Sequence, residues 1–163
     1  MTVRQLLMSG ACLALMASVA LAQGTDVAFG TVDHDTDAPV EVTADRLSVD
    51  QSDNTAMFQG NVLVGQGDLR LSAPEVRVLY TEDGNGIALL QARGGVTLVS
   101  GDDAAEAAEA DYDIDRGIVD MRGDVLLTRE SSAVASDVAR IDLEGGTAVM
   151  EGRVKTVLQS GDQ

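Results

Sequence analysis

Four stretches decide how this chain folds: Phe58-Gln59-Gly60-Asn61-Val62, Ala92-Arg93-Gly94-Gly95-Val96, Met121-Arg122-Gly123-Asp124-Val125 and Met150-Glu151-Gly152-Arg153-Val154. Each reads apolar-x-Gly-x-Val, and the glycines stand 34, 29 and 29 residues apart. Repetition at such a period signals stacked supersecondary units. Counted from each Gly, positions −4, −2, +2 and +4 are Ala56, Phe58, Val62 and Val64, then Leu90, Ala92, Val96 and Leu98. The third and fourth units give Val119, Met121, Val125 and Leu127, and Ala148, Met150, Val154 and Thr156. Only Thr156 is polar. The positions next to the Gly are mostly polar: Gln59/Asn61, Arg93/Gly95, Arg122/Asp124 and Glu151/Arg153. A period of two is that of a strand with one buried and one wet face, whereas a helix would need apolar positions three and four apart.

The pattern extends outward from these stretches. Sixteen residues before three of the glycines stands a small residue, Ala44, Ala107 or Ser136. In the remaining unit Ala73 lies 21 before Gly94, and the surplus fits the turn-forming Thr81-Glu82-Asp83-Gly84-Asn85-Gly86. Apolar pairs follow each small residue: Leu47/Val49, Val76/Val78, Ala110/Tyr112 and Ala139/Ile141. The small residue is out of step with the period of two, which points to a bulge or bend there. Each unit is thus strand, turn, strand, with turns at Asp50 to Asn54, Thr81 to Gly86, Asp115 to Gly117 and Glu144 to Gly146. The fold class is all-β, about eight long antiparallel strands in four repeated units. Ala104 to Ala110 carries helical propensity, but the repeat assigns it to a strand. Four strand-interior glycines at equivalent places imply that the strands bend in register and curve the sheet over itself.

Composition limits the function. The 163 residues carry 11 Lys+Arg against 27 Asp+Glu, a net charge of −16, which argues against nucleic-acid binding. One His and one Cys leave little for a multi-ligand metal site or a nucleophile–His pair, so no catalytic residue, cofactor or metal is assigned. Two Phe, two Tyr and no Trp mean that a core or a groove must be lined by aliphatic groups.

Met1 to Ala22 has the parts of a cleavable secretory signal: Arg4, an apolar run from Leu6 to Leu21, and the A-x-A site Ala20-Leu21-Ala22. Cleavage would remove Cys12 and Arg4 and leave a chain one unit more negative than −16. It places the protein outside the cytoplasm, in the periplasm, held together by packing and backbone pairing with no disulfide. Residues 23–38 show no periodicity and are read as a flexible acidic leader, 39–158 as the β domain and 159–163 as a tail. Asp33-His34-Asp35-Thr36-Asp37 lacks the Gly turn and distal Glu of a calcium loop and is read as solvated chain.

With these residues in view, the chain resembles the LptA/OstA-like family of periplasmic lipopolysaccharide-transport proteins. Val42-Thr43-Ala44-Asp45-Arg46-Leu47-Ser48-Val49-Asp50, Ala56-Met57-Phe58-Gln59-Gly60-Asn61-Val62 and Met121-Arg122-Gly123-Asp124-Val125 carry the likeness, which covers Pro39 to Leu158. The resemblance implies an open, twisted β-jellyroll whose aliphatic interior takes the acyl chains of lipid A. It implies copies stacked into a bridge that supports outer-membrane biogenesis in a Gram-negative cell. An anchored LptC-like protein would stand at the inner membrane and an LptD-like translocon at the outer. A cleavable signal without an anchor matches the soluble bridge component.

Candidate groove residues are Leu47, Val49, Phe58, Val62, Val76, Leu90, Val96, Tyr112, Met121, Val125, Ile141 and Met150. Burial of methylenes is non-directional and worth ~0.8 kcal/mol each, which suits flexible acyl chains, though the same residues serve equally as core. An open jellyroll leaves unpaired edges at its first strand, Glu41 to Val49, and its last, Ala148 to Leu158. These edges, with Val42, Ala44, Met150 and Val154 as markers, can template head-to-tail pairing. Lipid A is anionic and the chain acidic, so either divalent cations bridge phosphate to carboxylate or Arg46, Arg70 and Arg77 meet phosphate locally. Two other function classes stand beside the carrier: an exported β-repeat protein that polymerises without lipid, and an acidic hydrolase using a carboxylate pair, for which no acid or nucleophile setting is recognisable.

Overall fold

The computed structural model describes residues 24–30 and 34–158. The signal sequence and the C-terminal tail read from the sequence lie outside the described residues. Among the described residues, eleven strands form one sheet: β1 (Thr25–Ala28), β2 (Glu41–Thr43), β3 (Arg46–Asp50), β4 (Thr55–Gln66), β5 (Leu69–Tyr80), β6 (Ile87–Ser100), β7 (Asp103–Asp113), β8 (Ile118–Arg129), β9 (Ser132–Asp142), β10 (Thr147–Glu151) and β11 (Lys155–Leu158). β4 to β9 pair each with the next, all antiparallel. β2 and β3 both pair β4 at one end, and β10 and β11 both pair β9 at the other. The outer units are thus single long strands broken in the middle, and with them the count of eight long strands holds. Ala104 to Ala110 lies within β7, where cross-strand pairing overrides helical propensity.

The break and the bend have one cause. The register shifts where Gly and the residue after it together stand opposite one residue, the successor of the small residue. Gly60-Asn61 face Pro74, Gly94-Gly95 face Ala108 and Gly123-Asp124 face Asp137, and the ladder on β9 breaks likewise between Glu151 and Lys155. Both residues of each pair have positive φ: Gly60 and Asn61 (80° and 47°), Gly94 and Gly95 (91° and 97°), Gly123 and Asp124 (86° and 50°), and Gly152 and Arg153 (77° and 42°). Two consecutive left-handed residues add one residue to the strand and turn it sharply. Side chains seal the corner, Asn61 Nδ2 donating to Asp45 Oδ2 at 2.8 Å and Arg153 Nε to Asp137 Oδ1 at 3.0 Å. The four bulges form a row across the sheet, along which it folds into two facing halves.

The core lies between these halves. One half contributes Val76, Leu90, Ala110, Met121 and Ile141, the other Val64, Leu71, Leu98, Ala105 and Leu127, all buried. Their outer faces differ. The first carries a cross-strand ion network in which Arg93 and Arg122 both bind Asp111, at 2.8 and 2.9 Å. Partial burial alone would raise the Asp111 pKa, but hydrogen bonds from Arg122 and Arg93 outweigh it and hold the carboxyl below its ordinary 3.8.

Two expectations change. The segment read as a flexible leader contains β1, which pairs antiparallel with β10 from Thr25↔Met150 to Ala28↔Thr147. Its next residue, Phe29, is fully buried in the core. Four residues are too few to show a period, and the partner strand lies more than a hundred positions away. As a consequence the last strand is not a free edge along its whole length. Met150 is interior and covered by β1, so of the expected last strand only the β11 part keeps an unpaired edge among the described residues, while β1, β2 and β3 also pair on one side only.

Candidate lipid-binding face and its seam

Cross-strand partners share a face of the sheet, so the register traces continuous rows on the inner surface. One row is Leu47, Phe58, Val76, Ala92, Ala110, Met121, Ala139, Met150 and Thr25. The next is Val49, Ala56, Val78, Leu90, Tyr112, Val119, Ile141, Ala148 and Val27. On the facing half, Val62, Val96 and Val125 stand just past the bulges, and Val42 starts a row through Val64, Leu71, Leu98, Ala105, Leu127 and Val134. The structure therefore brings all twelve candidate groove residues to one inner surface. Ten of them are packed against the opposite half or half-buried at its margin, while Leu47 and Val49 are 55% and 60% exposed.

The exposure at β3 follows from strand length. β3 carries the inner face five residues along one half, whereas β2 offers only three residues on the other. The apolar rows thus emerge from the core at the N-terminal end as an uncovered lip of Leu47 and Val49, with Phe58 half-buried behind it. At the other end the inner side of β11 is uncovered in the same way, with Leu158 72% exposed.

The arginines fall outside the slot, and of the edge markers Met150 lies within it while the others stand at its margins. Val42 is half-buried on the β2 edge strand, Ala44 sits in the break between β2 and β3, and Val154 lies in the last bulge. Arg46, Arg70 and Arg77 pair with Gln59, Gly65 and Met57, on the outward parity, and are exposed. Arg46 neighbours the apolar lip. Arg70 donates to the carbonyls of Gly67 and Leu69 and edges a shallow depression of about 350 Å³ with Pro39, Glu41 and Leu63.

Opposite the bulge row, the free margins of the two halves meet along a seam, and here the inner face turns polar. Gln66, Ser100 and Arg129 each stand six residues after a repeat Gly, and Gln66, Ser100 and Asp103 are buried. Tyr112 Oη, from one half, donates to Gln66 Oε1, from the other, at 2.5 Å. Burial, then the negative charges of Glu144 and Asp113, push the Tyr112 pKa well above its ordinary 10.0. N-terminal residues fill the rest of the seam. The Phe29 amide donates to the Gly146 carbonyl on one margin, and the Gly30 amide to Asp103 Oδ2 on the other. Thr36 touches both, its hydroxyl donating to Glu144 Oε1 at 3.1 Å and its carbonyl accepting from Gln66 Nε2 at 2.7 Å. His34, read as part of a solvated acidic stretch, is buried with Nε2 3.4 Å from Gln66 Oε1. Of these seam residues Tyr112 alone was a groove candidate from the sequence, while His34 and Thr36 were read as solvated chain and Glu144 to Gly146 as a turn. For Gln66, Ser100 and Arg129 the signal was present, since extending the count to position +6 finds a polar residue on the inward parity in three units.

A single antiparallel sheet, creased along its own bulges, apolar within and uncovered at its ends, is an open β-jellyroll. The chain belongs to the family described as LptA/(LptD N-terminal domain) LPS transport protein, whose model matches residues 41–157. It is 28% identical over 156 residues to an uncharacterized protein of Rhizobium meliloti (strain 1021), covering 96% of this chain and 72% of that one. It is 27% identical over 109 residues to the lipopolysaccharide export system protein LptA of Escherichia coli (strain K12), covering 63% of this chain and 59% of that protein. Its fold matches the crystal structure of LptH, the LptA-homologous periplasmic component of the lipopolysaccharide transport device of Pseudomonas aeruginosa. That match has a TM-score of 0.71 at 17% identity and covers 78% of this chain and 100% of the other. Family and fold are those of a lipopolysaccharide-transport protein, not of an enzyme family.

Proposed function

We propose that this protein is a periplasmic lipopolysaccharide carrier, exported by a signal cleaved after Ala22, that holds the acyl chains of lipid A against its inner face. Copies stack head to tail, β2 and β3 of one meeting β1 and β11 of the next. The stack links an anchored LptC-like protein at the inner membrane to an LptD-like translocon at the outer. The observation that carries this reading is the unbroken apolar row from Leu47 through Phe58, Val76 and Met121 to Met150, which runs the length of the sheet and surfaces at the Leu47 lip. A row without polar interruption lets an acyl chain slide without breaking any hydrogen bond, because apolar burial has no preferred direction. The sugar and phosphate groups stay outside, where Arg46 beside the lip is placed to meet a phosphate by a charge-assisted bond.

The full burial of Val76, Leu90 and Leu98 also favours a second reading, a polymer-forming β protein that never opens for lipid. Depletion of the protein in its native organism separates the two. The carrier reading expects lipopolysaccharide to accumulate at the inner membrane. Normal arrival at the outer membrane would refute it.

A further inference from the structure

The inner face is apolar nearly everywhere, yet one side-chain hydrogen bond crosses from half to half within it: Tyr112 Oη to Gln66 Oε1. β4 and β7 are not neighbours in the sheet, so this bond ties together margins that no backbone ladder joins. The Gln66 amide nitrogen Nε2 donates to the carbonyls of Thr36 and Ala38, at 2.7 and 3.1 Å. Phe29, fully buried in the core, belongs to the N-terminal segment that fills the same seam, its amide donating to the Gly146 carbonyl. The opposite margin is the bulge row, which is continuous backbone and cannot part. The seam is therefore the one long side along which the halves can separate without breaking a ladder between strands.

We propose that Tyr112 and Gln66 form a latch across this seam, and that acyl chains enter the slot sideways when the latch and Phe29 give way. The proposal rests on the carrier reading and deepens it by naming the route of loading. With the halves in contact the interior is filled by its own side chains, Val76, Leu90, Ala110 and Met121 being fully buried. A lipid bearing a bulky sugar head cannot move along such a core while the seam is shut, because the head has no way out through it. Side entry leaves the head outside while the chains replace Phe29 and slip between the halves. The latch is polar in an apolar setting, so it contributes to closure when paired and adds nothing to the hold on the lipid once open. Its strength sets the fraction of molecules competent to load.

The test uses the full chain with purified, fluorescently labelled lipopolysaccharide in a stopped-flow uptake assay. Tyr112→Phe removes the donor and keeps the ring, so uptake is expected to accelerate about fivefold to tenfold, the weight of one hydrogen bond. The converse variant pins the N-terminal segment that carries Phe29 to one margin with Gly30→Cys and Ser100→Cys in a Cys12→Ser background. A Cβ built at Gly30 lies 3.1 Å from Ser100 Cβ, a few tenths of an ångström inside the span of a disulfide, about 3.5–4.5 Å. The oxidised form is expected to take up lipid at least tenfold more slowly than the same protein after reduction. Equal uptake by the oxidised and reduced forms overturns the latch. So does a Tyr112→Phe protein that melts lower yet loads at the wild-type rate. No uptake by any form, wild type included, removes the carrier reading and the side entrance with it.

Discussion

Replacing Gly123 with Ala tests whether the bulge row shapes the fold. Gly123 has φ +86°, and a Cβ added there would stand 2.7 Å from the Cβ of Ala108. Two costs add. A left-handed backbone in an L-residue other than Gly costs about 1–2 kcal/mol, offset by about 0.4–1 kcal/mol because Ala restricts the unfolded chain. The contact adds an overpacking cost of about 1–3 kcal/mol, since the Ala108 methyl sits directly on the backbone and has no rotamer to move into. The expected net loss is about 2–4 kcal/mol. Gly84→Ala is the control, for Gly84 has φ +70° and no atom within 4 Å of the added Cβ, so it carries the backbone cost alone, about 1 kcal/mol. Ala108→Gly in the Gly123→Ala background removes the clash and is expected to restore the steric share. Urea unfolding followed by far-ultraviolet circular dichroism reads all four proteins, the chain having no Trp. Equal losses for Gly123→Ala and Gly84→Ala, or no recovery in the double variant, would refute the reasoning.

Other outcomes follow from the same structure. Phe29→Ala is expected to lose about 3–5 kcal/mol in the same melts, because Phe29 is fully buried; a solvated leader would show no loss. Tyr112 is neutral and buried in the folded state, with its pKa raised above 10.0, whereas the unfolded chain ionises near that value. Stability is then full below pH 10 and falls above it by up to about 1.4 kcal/mol per pH unit; Tyr112→Phe is expected to flatten this slope in melts between pH 9 and 11. Leu47→Asp with Val49→Asp is expected to leave the melting point nearly unchanged while reducing lipopolysaccharide binding at least tenfold in a pull-down, since both residues are more than half exposed.

Much of the fold was legible because it repeats. Positions −4, −2, +2 and +4 around Gly60, Gly94, Gly123 and Gly152 sort the side chains to one face, and cross-strand pairing between units then fixes which residues stand side by side. The bend was legible too, although the extra residue belongs to the Gly strand and the small residues Ala44, Ala73, Ala107 and Ser136 mark only where the partner strand meets it. The N-terminal contacts left no local trace. Thr25 finds Met150, Phe29 finds Gly146 and Thr36 finds Glu144, and each contact spans more than a hundred residues. Nothing in four to twelve non-repeating residues records such a partner. His34 likewise sits among acidic neighbours that suggest solvent, and only the tertiary fold sets it beside Gln66.

Lipid travelling on the inner face of the sheet must meet alternate residues of the strands near its edge. Leu47 and Phe58 face inward in one row, while Ser48 and Met57, one position along the same strands, face outward. A photoreactive phenylalanine placed singly at each of the four positions in cells, followed by irradiation and immunoblotting for lipopolysaccharide, compares the two faces within about one residue's reach. Transport on the inner face gives adducts from positions 47 and 58 and none from 48 and 57. Adducts of equal yield from both pairs, or from the outward pair alone, would contradict it.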